Sequence, residues 1–149
     1  MSKVRTMPPR LKILQGIDHI KGTVMKEFML LIFNEIDHQA AWSAERHQQF
    51  LKSCESYIGK LQKDGKLKIA QPLVREGSII SGSNGTWKIV PFNETREVQV
   101  GYYHIVARDM DEAIEIAMGN PEFEFSTTAR IEVRPIKTKE ETTGYAYPT

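Results

Sequence analysis

Two segments of the chain, residues 26–34 and 97–107, have apolar side chains at most positions. Successive side chains of a strand point to opposite faces of a sheet, so strands of this composition present apolar groups to both faces. In the second segment, one face is expected to hold Val98, Val100, Tyr102, His104 and Val106. The pattern predicts two strands near the centre of a sheet that is covered on both sides.

Apolar residues at helical spacing predict a long helix after the first strand. Ser43 is a suitable N-cap, and the helix is expected to run to about Lys63, because Gly65 can adopt the left-handed conformation that ends many helices. The apolar stripe consists of Phe50, Cys54, Tyr57 and Leu61, joined by Leu51 and Ile58. This stripe is expected to face the sheet.

A second helix is predicted to begin after Asp109. Asp109 and Glu112 have the spacing of a capping box, in which each residue satisfies a backbone N–H group of the other. The apolar stripe of this helix would be Met110, Ala113, Ile114 and Ala117. Gly119 and Pro121 are expected to stop it.

Three further stretches have the pattern of strands. Residues 66–73 follow the first helix, and residues 127–136 alternate between apolar and polar positions, as in a partly exposed strand. Residues 78–83 and 86–90 flank Asn84-Gly85, the strongest short signal for a hairpin turn. The order predicts an α+β, ferredoxin-like fold: an antiparallel sheet with two helices on one face and an inserted β-hairpin.

Two helices cover only one face of a four-stranded sheet, yet both central strands are apolar on both faces. An uncovered second face would be a larger apolar patch than a soluble monomer usually exposes. We therefore expect a homodimer whose sheets pack face to face. The alternative is that the inserted hairpin or the tail covers this face within one chain.

Composition and charge limit the domain organisation, the partners and the location that we expect for the protein. Residues 1–24 carry five basic and one acidic residue, a net +4, which leaves −3 for the remainder of a chain of total charge +1. We expect a flexible extension (1–24), a domain (25–136) and a polar tail (137–149). The mildly acidic domain argues against nucleic acid as partner. No apolar run reaches the ~20 residues of a membrane span, and a single cysteine, Cys54, excludes an internal disulfide and favours the cytoplasm.

Six pieces of the sequence, in the same order, resemble the YCII-related proteins. They are Met29-Leu30-Leu31-Ile32, Gly65-Lys66-Leu67, Pro91-Phe92-x-Glu94-Thr95-Arg96-Glu97, Gly101-Tyr102-Tyr103, Asp111-Glu112-Ala113 and Glu132-Val133-Arg134-Pro135-Ile136. They match especially the branch known by an Asp-Gly-Pro-Phe motif (DGPF). The resemblance implies a ferredoxin-like fold of the dimeric α+β barrel type.

The chain departs from this family at two acidic positions. Ile89 and Val90 stand where the motif has Asp and Gly, so a side chain there cannot act by charge. Some YCII proteins are thought to use a His–Asp pair, and the matching positions here are His47 and Asn120. An asparagine can orient an imidazole, but it does not stabilise an imidazolium as a carboxylate does.

Several side chains are candidates for catalysis. His47 lies at the open end of the first helix's stripe, where it would line a cleft and carry a proton; the alternative is a histidine bonded to backbone. Asn120 would orient it. Glu94 and Glu97 match acidic positions of the family and would orient a histidine or accept a proton, unless they are solvated loop residues.

Three other residues are candidates for ligand binding. Tyr102 and His104 share a strand face, and His104 would meet its symmetry mate, face the cleft or serve only packing. His38 lies in the loop after the first strand and would belong to a lid. No metal is expected, because the histidines lack the spacing of metal ligands, and no cofactor, because no glycine-rich loop precedes a helix.

Two classes of function follow. The first is a small dimeric enzyme that acts on a small organic molecule by His-dependent proton transfer. The second is a non-catalytic ligand-binding or regulatory module, since relatives of this branch are sometimes linked with sigma factors. A structural oligomerisation unit is a third interpretation. The loss of both family acids favours the second class.

Overall fold

The structure is a computed structural model that describes residues 24–93 and 96–148. The predicted N-terminal extension, except for Val24, and the candidate Glu94 lie outside the described residues. The helices and strands are β1 (Lys26–Glu35), α1 (Ala44–Lys63), β2 (Leu67–Pro72), β3 (Ser78–Ser83), β4 (Thr86–Pro91), β5 (Glu97–Ala107), α2 (Met110–Met118), α3 (Pro121–Phe125) and β6 (Arg130–Pro135).

Four strands form one antiparallel sheet in the order β2-β5-β1-β6, with β1 and β5 at its centre. β3 and β4 pair with each other in a separate two-stranded sheet, joined at Asn84 and Gly85, which both have positive φ (52° and 82°). The fold is α+β and is compatible with the ferredoxin-like arrangement. No helix in the described part of the chain is long and apolar enough to cross a membrane.

The ends of α1 confirm the prediction. The Ser43 hydroxyl accepts the backbone N–H of Arg46 at 3.1 Å, which satisfies one of the unpaired donors of the first turn. Gly65 follows the last turn with φ of 69°, a conformation that a side chain disfavours. Ser43 therefore marks the start of this helix, and Gly65 marks the point at which the chain turns back into β2.

The second helical region differs from the prediction. α2 ends at Met118, but Pro121 does not only stop it: Pro121 is the first residue of a further short helix, α3, so the described chain has three helices rather than two. Proline fits the first turn of a helix because its missing N–H has no partner there. The side-chain oxygen of Asn120 caps α3 by accepting the N–H of Glu122 at 2.9 Å.

A β-bulge in β5 overturns part of the predicted face assignment. Ile32 pairs with Gly101 and Phe33 with Gln99, so Val100 has no partner of its own on β1. Beyond the bulge, Val98 pairs with the buried Asn34 and lies on the helix side. The prediction that Val98 and Val100 share a face with Tyr102 is therefore wrong.

The core lies between the helices and one face of the sheet. It contains Phe28, Leu30, Ile32, Leu61, Tyr103, Ile105, Ala107, Ala113 and Ala117. α1 reaches this core through its second half, where Leu61 is buried, whereas Leu51 in its first half is 48% exposed. The opposite face of the sheet, here called the open face, presents Met29, Leu31, Phe33, Tyr102, His104 and Val106.

Glu112 of α2 forms a salt bridge with Lys66, which lies just before β2. Its carboxylate accepts hydrogen bonds from Lys66 Nζ at 2.5 Å and from the backbone N–H of Arg108 at 2.7 Å. Burial acts to raise the pKa of Glu112, but the bonds from Lys66 and Arg108 outweigh it and hold the pKa below its ordinary value.

We predict that Glu112→Gln lowers the free energy of unfolding by about 1–2 kcal/mol at neutral pH, because the amide leaves Lys66 without its charge partner. A carboxyl with a depressed folded pKa contributes stability above its unfolded pKa and loses that stability as the pH falls through the folded pKa. The difference in free energy of unfolding between the wild type and the variant should therefore shrink below about pH 4.5. Urea unfolding at several pH values measures it. Glu115→Gln, at an exposed position of the same helix, is the control; a deficit that does not change with pH would contradict this account.

Candidate functional site

A cavity of about 720 Å³, here called the central cavity, lies between one side of α1 and the helix-side face of the sheet. Its walls are mainly apolar and include Phe50, Ile58, Val100 and Pro72. The volume is typical of a site for a small organic molecule.

His38 and Glu122 meet at the wall of the central cavity. Their side chains are 11% and 7% exposed, and His38 Nε2 lies 3.5 Å from Glu122 Oε1. His38 Nδ1 is 2.9 Å from the backbone oxygen of Glu35. Because a carbonyl oxygen can only accept, Nδ1 carries a hydrogen and Nε2 carries the lone pair of the neutral ring.

Asn34, fully buried at the end of β1, fixes the surroundings of this pair. Its amide nitrogen lies 3.5 Å from Glu122 Oε1 and 3.2 Å from the Ser126 hydroxyl, and its oxygen accepts from Thr128 at 2.7 Å. The sequence pattern places Asn34 at the end of the first strand. Its partners on α3 and in the segment before β6 explain how a polar side chain is tolerated on the core side of β1.

Trp42 separates the two candidate histidines. Its ring centroid lies 6.1 Å from that of His38 and 6.1 Å from that of His47, and Phe50 and Phe125 pack against it at 5.3 and 5.9 Å. His47 is exposed in the first turn of α1, and it is not among the residues that line the central cavity. The geometry therefore brings His38, rather than His47, to the cavity.

Asn120 lies at the same end of the cavity as Glu122, with Tyr57 and Tyr103 beside it. Burial raises the pKa of both phenols, and the Asn120 amide acts in the opposite direction through a hydrogen-bonding interaction with each. Cys54, half-buried on α1, also lines the cavity, and burial raises the pKa of its thiol to about 11. A thiol held neutral in this way is a poor nucleophile.

The remaining candidates lie away from the cavity. Tyr102 and His104 are on the open face, and His104 Nε2 lies 2.7 Å from Glu27 Oε1. Glu97 accepts two hydrogen bonds from Arg130 Nε at 2.9 and 2.8 Å, at the edge of the same face. In the described part of the chain, no group of three His, Cys, Asp or Glu residues is placed to hold a metal ion.

Comparison with known proteins identifies the family. The sequence profile of the YCII-related domain matches residues 27–137, well over half of the chain. The chain belongs to the YCII-related family. A protein of Rhizobium meliloti (strain 1021) that is described as uncharacterised is 28% identical over an alignment of 117 residues, which covers 73% of this chain and 90% of that relative.

Sequence reasoning missed Glu122 as a site residue of this YCII-related domain. The resemblance implies Asp at the position of Asn120, and the next carboxylate lies only two residues further along. Pro121 between them is the available signal, because proline is favoured at the first position of a helix and so marks Glu122 as a residue of a first turn. Cys54 was predicted as a buried helix residue, and the structure places it half-buried at the cavity.

Burial raises the pKa of Glu122, and the His38 ring and the Asn34 amide offset only part of this effect. When the pKa of a carboxyl is higher in the folded protein than in the unfolded protein, the folded state becomes less stable as the pH rises from the unfolded pKa to the folded pKa. We predict that Glu122→Gln removes this loss, so that the stability of the variant relative to the wild type increases as the pH rises from about 4.5.

Urea unfolding at a series of pH values measures this difference. Glu124→Gln, at an exposed position of the same helix, is the matched control. A Glu122→Gln variant whose stability falls further behind the wild type as the pH rises would show that the carboxylate is stabilised rather than strained by its burial.

Proposed function

We propose that this YCII-related protein is a small enzyme that moves a proton on a largely apolar organic molecule held in the central cavity. His38 acts as the base, and Glu122 stabilises the imidazolium that forms. The observation that carries the proposal is the nearly buried contact between these two side chains at the wall of a cavity large enough for such a molecule.

The hydrogen bond to Glu35 supports the role of His38. It commits Nδ1 as a donor and leaves Nε2 as the base, at the side of the ring that Glu122 approaches. An imidazole exchanges protons readily near neutral pH, and a carboxylate within contact distance favours the imidazolium. In this pair, the carboxylate of Glu122 lies 3.5 Å from Nε2, close enough to stabilise the positive charge of an imidazolium.

The proposal also accounts for the neutral residue at the family's acidic position. Asn120 caps α3, and this cap sets the first turn of the helix that carries Glu122. A carboxylate is thus supplied two residues after the position at which the resemblance implies one. Pro91 and Phe92 are what the chain keeps of the Asp-Gly-Pro-Phe motif, and membership of that branch stays a prediction.

A solvent-exchange experiment tests proton transfer without knowledge of the natural substrate. Deuterium oxide replaces water, and NMR follows the loss of α-protons from three carbon acids: phenylacetone, cyclohexanone and phenylpyruvate. We predict that the wild type accelerates exchange of at least one of them. His38→Gln should reduce this acceleration by about 10²-fold or more, the usual contribution of a positioned base.

His47→Gln is the matched control, because it makes the same change at the histidine outside the cavity. Acceleration that survives in His38→Gln and is lost in His47→Gln would overturn the assignment of the base. A wild type that accelerates exchange of none of the three compounds would contradict proton transfer and favour the second function below.

The second candidate function is non-catalytic binding of a small molecule in the same cavity, in a regulatory setting. The observation that favours it is the burial of His38 Nε2, which no solvent reaches in the free chain and which has no hydrogen-bond partner among the described residues. A buried base of this kind needs a shift of the ring or of Glu122 before a substrate can meet it. Binding without exchange is the result that this function predicts.

We further propose a homodimer through the open face. Met29, Leu31 and Tyr102 are apolar or aromatic and are covered by no described helix. The β3–β4 hairpin does not supply the cover within one chain, since Ile80 and Trp87 are 63% and 62% exposed. A second copy, docked sheet to sheet, buries this patch.

We predict that the wild type sediments with twice the mass of one chain at micromolar concentration and that Leu31→Glu sediments as a monomer, because a carboxylate cannot be buried unpaired in such an interface. Lys52→Glu, at an exposed position of α1, changes the charge in the same sense and should leave the dimer intact. A monomeric wild type, or a dimeric Leu31→Glu variant, would contradict the proposed interface.

A further inference from the structure

In the described part of the chain, the carboxyl groups that line the central cavity are not balanced there by a Lys or Arg side chain. Glu55 and Glu122 line it, and none of the described residues that line it is Lys or Arg. A buried carboxylate or phosphate of a ligand would meet no cation of fixed charge and two carboxyl groups, and an unpaired buried charge is strongly disfavoured. The wall therefore favours an uncharged molecule.

The orientation of the Asn120 amide follows from its cap. The N–H of Glu122 must meet an oxygen, so Oδ1 points to α3 and Nδ2 points away from it. Asn120 is 3% exposed, and Nδ2 is buried with no well-formed hydrogen bond in the described part of the chain. A buried donor without an aligned partner destabilises the folded chain, and a hydrogen bond to a ligand oxygen would remove this cost.

The two phenols near Nδ2 differ in their availability. The Tyr57 hydroxyl donates its hydrogen to the backbone oxygen of Ile116 at 2.5 Å and is committed there. Tyr103 lines the cavity, and its hydroxyl donates to no acceptor in the described residues, although the Asn120 amide lies close enough to act on its pKa. Asn120 and Tyr103 together thus supply two uncharged donors, without an acceptor among the described residues, at one end of a mainly apolar space. Nδ2 is as buried as His38 Nε2, so the amide must shift slightly before it meets a ligand oxygen.

We infer that the central cavity selects uncharged carbonyl compounds with an apolar body, and that the Asn120 amide nitrogen and the Tyr103 hydroxyl hold the carbonyl oxygen. Phe50, Ile58 and Val100 contact the apolar body. The inference rests on the proposed function for the reaction that follows binding. The preference for such a ligand does not depend on catalysis.

This class of ligand fits the chemistry of His38. When Nε2 takes a proton from the carbon beside the carbonyl group, the C–H electron pair forms a C=C bond and the carbonyl π pair moves to the oxygen. Two donors aimed at that oxygen stabilise the charge as it develops. Return of the proton to the same carbon gives exchange with solvent. If a C=C bond is conjugated with the enolate, return of the proton to the far carbon of this dienolate completes an isomerisation, and no oxidant, reductant or second substrate is consumed.

Three compounds with the same phenyl group test the preference: phenylacetone, propylbenzene, which lacks the oxygen, and phenylacetate, which is an anion. Dissociation constants come from ligand-observed NMR, and shifts of the methyl signals of Ile58 and Val100, which line the cavity, report its occupancy. Phenylacetone should bind at least tenfold more tightly than either of the others. Equal binding of propylbenzene, or tighter binding of phenylacetate, would overturn the inference.

Two variants test the donors. Asn120→Asp keeps an oxygen for the cap of α3 but removes the amide N–H, and it should weaken phenylacetone binding at least tenfold. Tyr103→Phe removes only the hydroxyl and should weaken it about fivefold, while propylbenzene binding should change little in this variant. If Asn120→Asp does not fold, Tyr103→Phe alone tests the proposal. Phenylacetone binding that is unchanged in Tyr103→Phe would contradict the proposed contact with the carbonyl oxygen.

The same compounds separate the two proposals. Phenylacetone that binds as expected while the wild type accelerates no α-proton exchange would contradict proton transfer and leave the ligand class intact. Exchange that requires His38 but is indifferent to Tyr103→Phe and Asn120→Asp would sustain proton transfer and refute the carbonyl contacts.

Discussion

The site depends on where β1 ends. This strand lies between β5 and β6, so its backbone is held on both sides, and its buried side chains Phe28, Leu30 and Ile32 form the centre of the core. The same alternation then places Asn34 on the core side, where an apolar residue would be expected. Because Asn34 bonds to α3 and to the segment before β6, a polar network begins where the apolar core stops. The next residue, Glu35, supplies the backbone oxygen that orients His38.

The central cavity and the core are two parts of the same layer. Leu61, in the second half of α1, packs against the sheet, and the aromatic cluster around Trp42 packs at the other end of the helix. The side chains of His38 and Glu122 are only 11% and 7% exposed, so they lie largely out of water. In such surroundings a charge is stabilised mainly by its immediate neighbours.

Most of the fold was predictable from the sequence because its signals are local. Ser43 and Gly65 mark the ends of α1, Asn84-Gly85 marks the hairpin turn, and alternating apolar residues mark β1. The bulge at Val100 was not predictable in the same way, since it depends on how two distant strands pair. It reverses the face of Val98, and no periodicity within β5 reports it.

The candidate site was predictable only in part. Asn120 and His38 were singled out, but Glu122 and Asn34 acquire a role only through contacts 84 to 94 positions apart along the chain, which the pattern of a single segment does not contain. His47 fits the helical pattern well, yet the Trp42 ring stands between it and His38. Tyr102 and His104 share a strand face, as predicted, but it is the open face rather than the side that carries the cavity.

The most direct test of the account is nitrogen NMR of the His38 and His47 rings, with and without phenylacetone. The account predicts that Nδ1 of His38 carries the hydrogen of the neutral ring and Nε2 the lone pair, and that phenylacetone shifts the His38 signals while those of His47 stay in place. A His38 ring whose bare nitrogen is Nδ1, or a ligand response confined to His47, would contradict the assignment of His38 and Glu122 as the functional pair.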